Sequence, residues 1–534
     1  MITHITGLPT MAAHILVPLL VLLPALVIVD LLRTYFRRHL YSIPGPFINS
    51  LTSVPRLLSV AYGHHHLDTI ALHCRYGPLV RIGPNHVSFT SDTEALSTVY
   101  SISSRFEKSD FYLPFDAKTA HGMVPTVFSV RSERAHKDIK RPIAGAYSMT
   151  TLLELESLTD DCISTFQTKI DEKLATAAKR DSQESIVMNL GDWLHWYAFD
   201  LITSITFSNR LGFMTSESDV EGIIAAIEGR LRYNATIGQM PWLHQYLLGN
   251  KLMSWLATFI PSIAKMNTAK RIVDFTARQL DRYAGKDQDL GYADMLDRFK
   301  RVSASRKAQM SDTDLLAASV GNIFAGSDTT AISLRSMFYY LIKNPICMGK
   351  LLKEIDEKDA KGELREIVTF AESQNMPYLQ ACMKEAMRLH PAVGMMLERV
   401  VPEDGVTIAG HFIPTGTVIG ANPWVVARDK EVYGDDVDEF RPERWLELWQ
   451  KAEKEGQDSN AAEKVKRMER SFLAFGMGSR SCLGKNVSLL EMNKLVPQLL
   501  RRYKIEMDRP DREWRMEDYW FVKQLDVICT IRKR

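Results

Sequence analysis

The longest helix-periodic segment of the chain begins at Ser311-Asp-Thr-Asp314, a capping-box-like start, and stops at Asn344-Pro345. Leu315, Leu316, Ile323, Phe324, Ile332, Phe338 and Leu341 make it apolar along its whole length. Such a helix needs a large body around it, and most of the remaining chain is helix-periodic as well, with a few short strands. Its middle, Ala325 to Thr330 (AGSDTT), is poor helix chemistry: a Gly followed by Ser, Asp and two Thr competes with the backbone for hydrogen bonds. Local rule-breaking of this kind is expected at a functional site; the bland alternative is a Ser/Thr kink with solvent-facing polar groups.

A second segment carries reactive chemistry. Phe475 to Asn486, FGMGSRSCLGKN, sets Cys482 among three glycines with Arg480 two residues before it. Glycine lets a loop turn sharply and lets backbone approach a ligand. Val487 to Leu500 reads as a helix, so Cys482 sits in the loop that feeds it, where N–H groups and the helix dipole favour a thiolate. The six cysteines are far apart, with no C-x-x-C, no Cys/His spacing for zinc and no C-x-x-C-H for covalent haem. Such sparse thiols suit a reducing compartment. A formal net charge of +2 gives no case for nucleic acid.

The N-terminus reads differently. Met11 to Leu32 is almost wholly apolar, and at about 1.5 Å per residue it is long enough to span a bilayer. No Lys or Arg precedes it, unlike a secretory signal, and Arg33, Arg37 and Arg38 follow, which places the remainder on the cytosolic side. Ile43-Pro-Gly-Pro46 is a stiff turn between anchor and body. No linker or repeat divides the chain after that, so residues 1–42 are read as an anchor with its basic flank and 43–534 as one domain.

Within the body, Leu79–Ile82 and His86–Thr90 read as a hairpin, Val406 to Ile419 as another, and Leu525 to Ile531 as a terminal strand. Met376 to Ala392 reads as a helix opened by Pro377, with Glu385 and Arg388 sharing one face. Phe440-Arg-Pro-Glu-Arg-Trp445 offers Arg444 as a further partner. Trp445 to Phe472 reads as a charged, solvated excursion, and His64 to His66 as a solvated turn rather than a metal site.

Taken in order, A-G-x-D-T-T (Ala325 to Thr330), E-x-x-R (Glu385, Arg388), P-E-R-W (Pro442 to Trp445) and F-x-x-G-x-R-x-C-x-G (Phe475, Gly478, Arg480, Cys482, Gly484) resemble the haem-thiolate monooxygenases, the cytochromes P450. The likeness covers the whole chain, and FEKSDFY, LERVVPEDG and VVARDKEVYGDDVDEFRPERW look like the microsomal enzymes of filamentous fungi. It implies a mainly helical fold with small sheets behind one N-terminal transmembrane helix. It implies haem b with Cys482 as axial iron ligand, a thiolate whose electron donation favours O–O cleavage. Phe475 and Gly484 belong to the haem-binding loop, and Arg480, Arg399 and Lys140 are expected at the propionates. The family usually has Arg where this chain has Lys140, which keeps charge but not bidentate geometry. Asp328 and Thr329 are implied as the catalytic pair that delivers protons over the distal face. Glu385, Arg388 and Arg444 are implied as a structural network behind the haem loop.

The function expected is insertion of one oxygen atom from O2 into a lipophilic organic substrate, by a single-pass protein of the endoplasmic reticulum membrane with its catalytic domain cytosolic. Electrons are expected from a separate NADPH-dependent flavoprotein reductase docking at Lys137, Lys140, Arg141 and Lys485, since no flavin or nicotinamide domain is read in the chain. Phe111 to Phe115, Ile237 to Trp242, Ile323-Phe324 and Val393 to Met396 are the apolar candidates for substrate contact. By analogy with fungal relatives the substrate is expected to be a terpenoid, polyketide or alkaloid intermediate of secondary metabolism. The alternatives are a haem-thiolate isomerase, dehydratase or peroxygenase, which has no need of the Asp328-Thr329 pair, and a haem-binding sensor without turnover.

Overall fold

The computed structural model describes residue 29 and residues 31–534 except 120–121, 182–183, 249, 257–258, 260–268, 285–293 and 305–309. Nearly all of the apolar run Met11 to Leu32 lies outside the described residues, and among the described ones no helix is long and apolar enough to cross a membrane.

In chain order, the helices that position the site are α1 (Glu133–Ile143), α2 (Glu156–Asp181), α3 (Leu190–Phe207), α4 (Ile223–Gly238), α5 (Asp312–Lys343), α6 (Pro377–Leu389), α7 (Glu443–Glu455), α8 (Asn460–Arg470) and α9 (Lys485–Arg502). The strands are β1 (Leu79–Gly83), β2 (His86–Phe89), β3 (Ser185–Asn189), β4 (Arg399–Val400), β5 (Val406–Ile408), β6 (His411–Ile413), β7 (Val418–Ala421), β8 (Tyr503–Met507), β9 (Arg515–Tyr519), β10 (Phe521–Leu525) and β11 (Ile528–Lys533).

The middle of the molecule is α5. Ser311 caps it in a reciprocal box with Asp314, and it runs unbroken through AGSDTT to Asn344. The polar residues do not kink it into solvent: Ser327 and Thr329 return their hydroxyls to the carbonyls of Ile323 and Ala325, one turn back. Gly326 lets α3 lie close, because a Cβ there would come within 2.7 Å of the Ile202 side chain. Helices α2, α3, α5, α6 and α9 contribute to one large apolar core, and a second core lies under the sheet β1-β2-β7-β4.

Several local expectations are corrected or refined. Val406 to Ile419 is not a single hairpin: β5 and β6 pair, but β7 leaves to run parallel to β2, with His86 opposite Val418. The charged excursion Trp445 to Phe472 is mostly exposed, as expected, and is ordered into α7 and α8, which pack together around Trp445 and Met468 in a small core shared with Ala381, Tyr433 and Val437. His65 and His66 are buried in a helix, His65–Tyr76, instead of lying in a solvated turn; only His64 is exposed. The end of the chain holds two strands, β10 and β11, in different sheets.

Candidate active site

The Cys482 loop is built by backbone constraints. Gly476 and Gly478 both have φ +65°, and a Cβ on Gly478 would stand 1.7 Å from the Tyr100 carbonyl oxygen, so no other residue fits there. The Cys482 N–H donates to the Phe475 carbonyl at 2.8 Å, which closes the loop. Gly484 is the N-cap of α9, and the N–H groups of Gly484 and Lys485 point at the sulfur. Burial pushes the Cys482 thiol up, while those two N–H groups and the charges of Lys485 and Lys140 pull it back toward a thiolate.

Cys482 and Ala325 are both exposed although each is embedded in the fold, so the structure leaves open space at the loop and along one face of α5. Tyr147 ties the two together. Its hydroxyl donates to Asn322 Oδ1 on α5, its carbonyl accepts from Asn486 Nδ2 on α9 at 2.9 Å, and it lies close enough to Cys482 to feel its charge.

Beside the loop is an excess of positive charge. Arg480 pairs with Glu133 of α1 at 2.5 Å and donates to the carbonyls of Val130 and Arg131. Arg399 lies over the Tyr100 ring at 5.1 Å and bridges Lys108, whose ammonium sits over the Tyr112 ring at 4.1 Å. Lys140 donates to the Ser479 carbonyl at 2.9 Å, whereas Arg141 is exposed. Burial, then repulsion from Arg399 and Arg480, holds Lys108 well below its ordinary pKa; Glu133 opposes them. Arg480, Lys140 and Lys108 share the Glu133 carboxylate, Arg399 adds a further positive charge, and the His136 Nδ1 is buried without a partner. A ligand bearing two carboxylates next to an iron that takes a thiolate satisfies both the cation excess and the sulfur, so the residues present fit haem.

On α5, Asp328 and Thr329 face different ways. Thr329 shares the open face with Ala325, one turn apart. Asp328 is buried and turns toward α3, where His195 Nε2 lies 2.5 Å from its Oδ1. Burial would raise the Asp328 pKa, but His195, then Lys523 and Arg335, outweigh it and keep the carboxyl below its usual range.

Glu385 and Arg388 are fully buried and bidentate, at 2.8 and 2.9 Å. Arg444 Nε and Trp445 Nε1 of α7 donate to Glu385 at 2.9 and 2.8 Å, and the Arg441 N–H adds a third bond at 3.1 Å. Arg388 also donates to the carbonyls of Ala427 and Val437.

Three of the four apolar segments come together in one buried cluster. Phe111, Tyr112 and Phe115 cluster with Phe128 and Trp520, Phe111 lies over Gly238, and Gln239 donates to the Met395 sulfur. Lys108, Glu133 and His195 were not singled out as site residues beforehand. Lys108 stands inside FEKSDFY, where a lysine among aromatics was the available signal; His195 is a lone histidine on an apolar helix, which in isolation reads as core.

The sequence profile described as Cytochrome P450 matches residues 44–526. The chain is 39% identical over 513 residues to cytochrome P450 monooxygenase cicH of Emericella nidulans, covering 96% of this chain and 97% of that protein. It is 37% identical over 482 residues to a cytochrome P450 monooxygenase of Aspergillus terreus, covering 90% and 93%. It is 36% identical over 495 residues to pisatin demethylase of Fusarium vanettenii, covering 92% and 90%. The matched span takes in both Ala325 and Cys482, and the chain belongs to the cytochrome P450 family as a haem-thiolate monooxygenase.

Proposed function

We propose that the chain oxygenates a lipophilic intermediate of fungal secondary metabolism, a terpenoid, polyketide or alkaloid, at the endoplasmic reticulum membrane, with electrons from an NADPH-dependent flavoprotein reductase. The observation that supports the substrate class is the aromatic cluster from Phe111 to Trp520, buried except for the half-buried Phe128, in which the apolar candidate segments gather with few hydrogen-bonding groups. When bound, haem supplies oxygen activation at its iron. Cys482 would hold it from the loop that leads into α9, and Arg480, Arg399, Lys140 and Lys108 would take its propionates. Thr329 holds a water on the open face of α5, and Asp328 passes protons toward it. Lys137, Arg141 and Lys485 are exposed on the cysteine side and suit an acidic reductase surface. Co-expression with such a reductase under labelled dioxygen tests the reading: the product should carry one labelled oxygen atom per oxidation step. A rearranged product without that label would overturn it.

Thr329→Ala removes the hydroxyl from a helix that gains propensity by the change, so haem content should hold. Proton delivery should fail instead. In the reductase-driven reaction, O2 takes two electrons and two protons to hydrogen peroxide, or four of each to two waters. Peroxide formed per NADPH should therefore rise toward parity in the variant, and an unchanged ratio would make the hydroxyl dispensable.

For the membrane, support comes from exposed apolar side chains: Leu58, Trp242 and Tyr246 on segments that pack on α4, and Phe47, Tyr62 and Trp255 nearby in sequence. Removing residues 1–38 should leave haem incorporated and part of the protein on membranes, and adding Trp242→Ser and Trp255→Ser should release most of the rest. Sedimentation with vesicles measures this; loss of haem on truncation would place the segment inside the fold.

A further inference from the structure

The mechanism above uses Asp328 but not the group that holds it. His195 is 3% exposed on α3, and its Nε2 is the nearest partner of Asp328 Oδ1. A carboxylate has no proton to give, so the imidazole donates; Oδ2 takes no hydrogen bond from any described residue. The two helices meet here because Gly326 has no side chain to hold Ile202 off.

His195 and Asp328 also form the inner wall of a cleft of about 300 Å³ between α4, α5 and the β9–β10 hairpin. Its rim is exposed: Arg232 of α4 pairs with Glu517 of β9 at 3.3 Å, and the two side chains keep 58% and 43% of their surface in solvent. Between rim and floor, Lys523 of β10 pairs with Glu228 of α4, and Arg335 of α5 lies against the carbonyl of Gly191 on α3. Solvent therefore reaches Asp328 on a side of α5 different from the Ala325–Thr329 face.

We propose that His195 is a positioning residue for proton delivery: it fixes the Asp328 carboxylate at the inner end of this cleft, so that Asp328 collects protons from cleft water and hands them across α5 toward Thr329. This rests on the relay reading of Asp328 and Thr329. Every charged group facing the pair, namely Lys523, Arg335, Glu228, Arg232 and Glu517, stays in place when His195 alone is changed.

The test uses the full-length holoprotein. In the resting state without turnover, His195→Leu should show the infrared stretch of a protonated carboxyl at neutral pH, and this band should vanish in the double variant with Asp328→Asn. His195→Gln, which keeps a donor at similar reach, should suppress the band. In the reductase-driven reaction with dioxygen alone, peroxide per NADPH should rise toward parity in His195→Leu, return toward wild type in His195→Gln, and rise also in Ala225→Trp, which fills the cleft mouth from α4 without touching the pair. If Thr329→Ala and Asp328→Asn raise the ratio but His195→Leu neither raises it nor shows the band, the inference falls and the relay stands. If Ala225→Trp alone is silent, the cleft is not the source. If no variant moves the ratio, the relay reading falls as well.

Discussion

Cys482→Ala should abolish the strongly red-shifted absorbance of the reduced carbon monoxide complex, because that band requires a thiolate donor to iron. The effect is expected to be complete. No other described cysteine can substitute: Cys162, Cys347, Cys382 and Cys529 are buried in packed cores, and Cys74 is exposed on the helix His65–Tyr76. The loop should nonetheless keep its shape. Gly476 and Gly478 retain their left-handed backbone, the N–H of residue 482 still reaches the Phe475 carbonyl, and water in the open space can take the N–H groups of Gly484 and Lys485. Cys482→Ser is the companion variant. It offers an oxygen to the same two N–H groups, so haem retained without the red-shifted band would separate loss of the thiolate from loss of the loop. A Cys482→Ala protein with the band intact would remove the sulfur from the reading altogether.

What could be read in the chain beforehand follows the range of the interactions. The long helix α5 was legible because its signals are local: Ser311 and Asp314 cap one end, Asn344-Pro345 stops the other, and the apolar residues between keep their period. The Cys482 loop was legible for the same reason, since glycines, Arg480 and the start of α9 lie within a dozen residues. The strand β7 was misassigned because its partner, β2, lies at the far end of the chain, and nothing in Val418 to Ala421 distinguishes a parallel neighbour from a hairpin return. Lys108 meets Arg399 across a bridge of equally distant segments. His195 and Asp328 are neighbours only because two helices cross at Gly326; each taken alone obeys the ordinary pattern of a buried helix position. The resemblance named roles for the motif residues and for Arg399 and Lys140, and was silent on Lys108, Glu133 and His195.

Glu385 shows how far such a partnership sets stability. Its carboxylate is fully buried and answers Arg388, Arg444, the Trp445 indole and the Arg441 N–H together. Burial alone would raise its pKa, but Arg388 and then Arg444 outweigh it and hold the carboxyl below the ordinary range. Glu385→Ala therefore strands two buried guanidinium groups, with Asp436 left to Arg444 and only backbone carbonyls to Arg388. Removing one partner from a buried charge pair costs about 3–5 kcal/mol, a large share of the ~5–15 kcal/mol that holds a domain together. Arg388→Ala should cost less, because Arg444, Trp445 and the Arg441 N–H still satisfy the carboxylate. The predicted order in thermal unfolding and in haem retained after purification is wild type, then Arg388→Ala, then Glu385→Ala. Acid should act in the same direction: a folded-state pKa held below the unfolded one gives stability that is full above the ordinary carboxylate range and is lost as pH falls through the lower folded value. Wild type should thus lose stability on acidification more steeply than Glu385→Gln, which has no proton to gain there. A Glu385→Ala protein with full haem and slow turnover would instead move this residue from scaffold to chemistry.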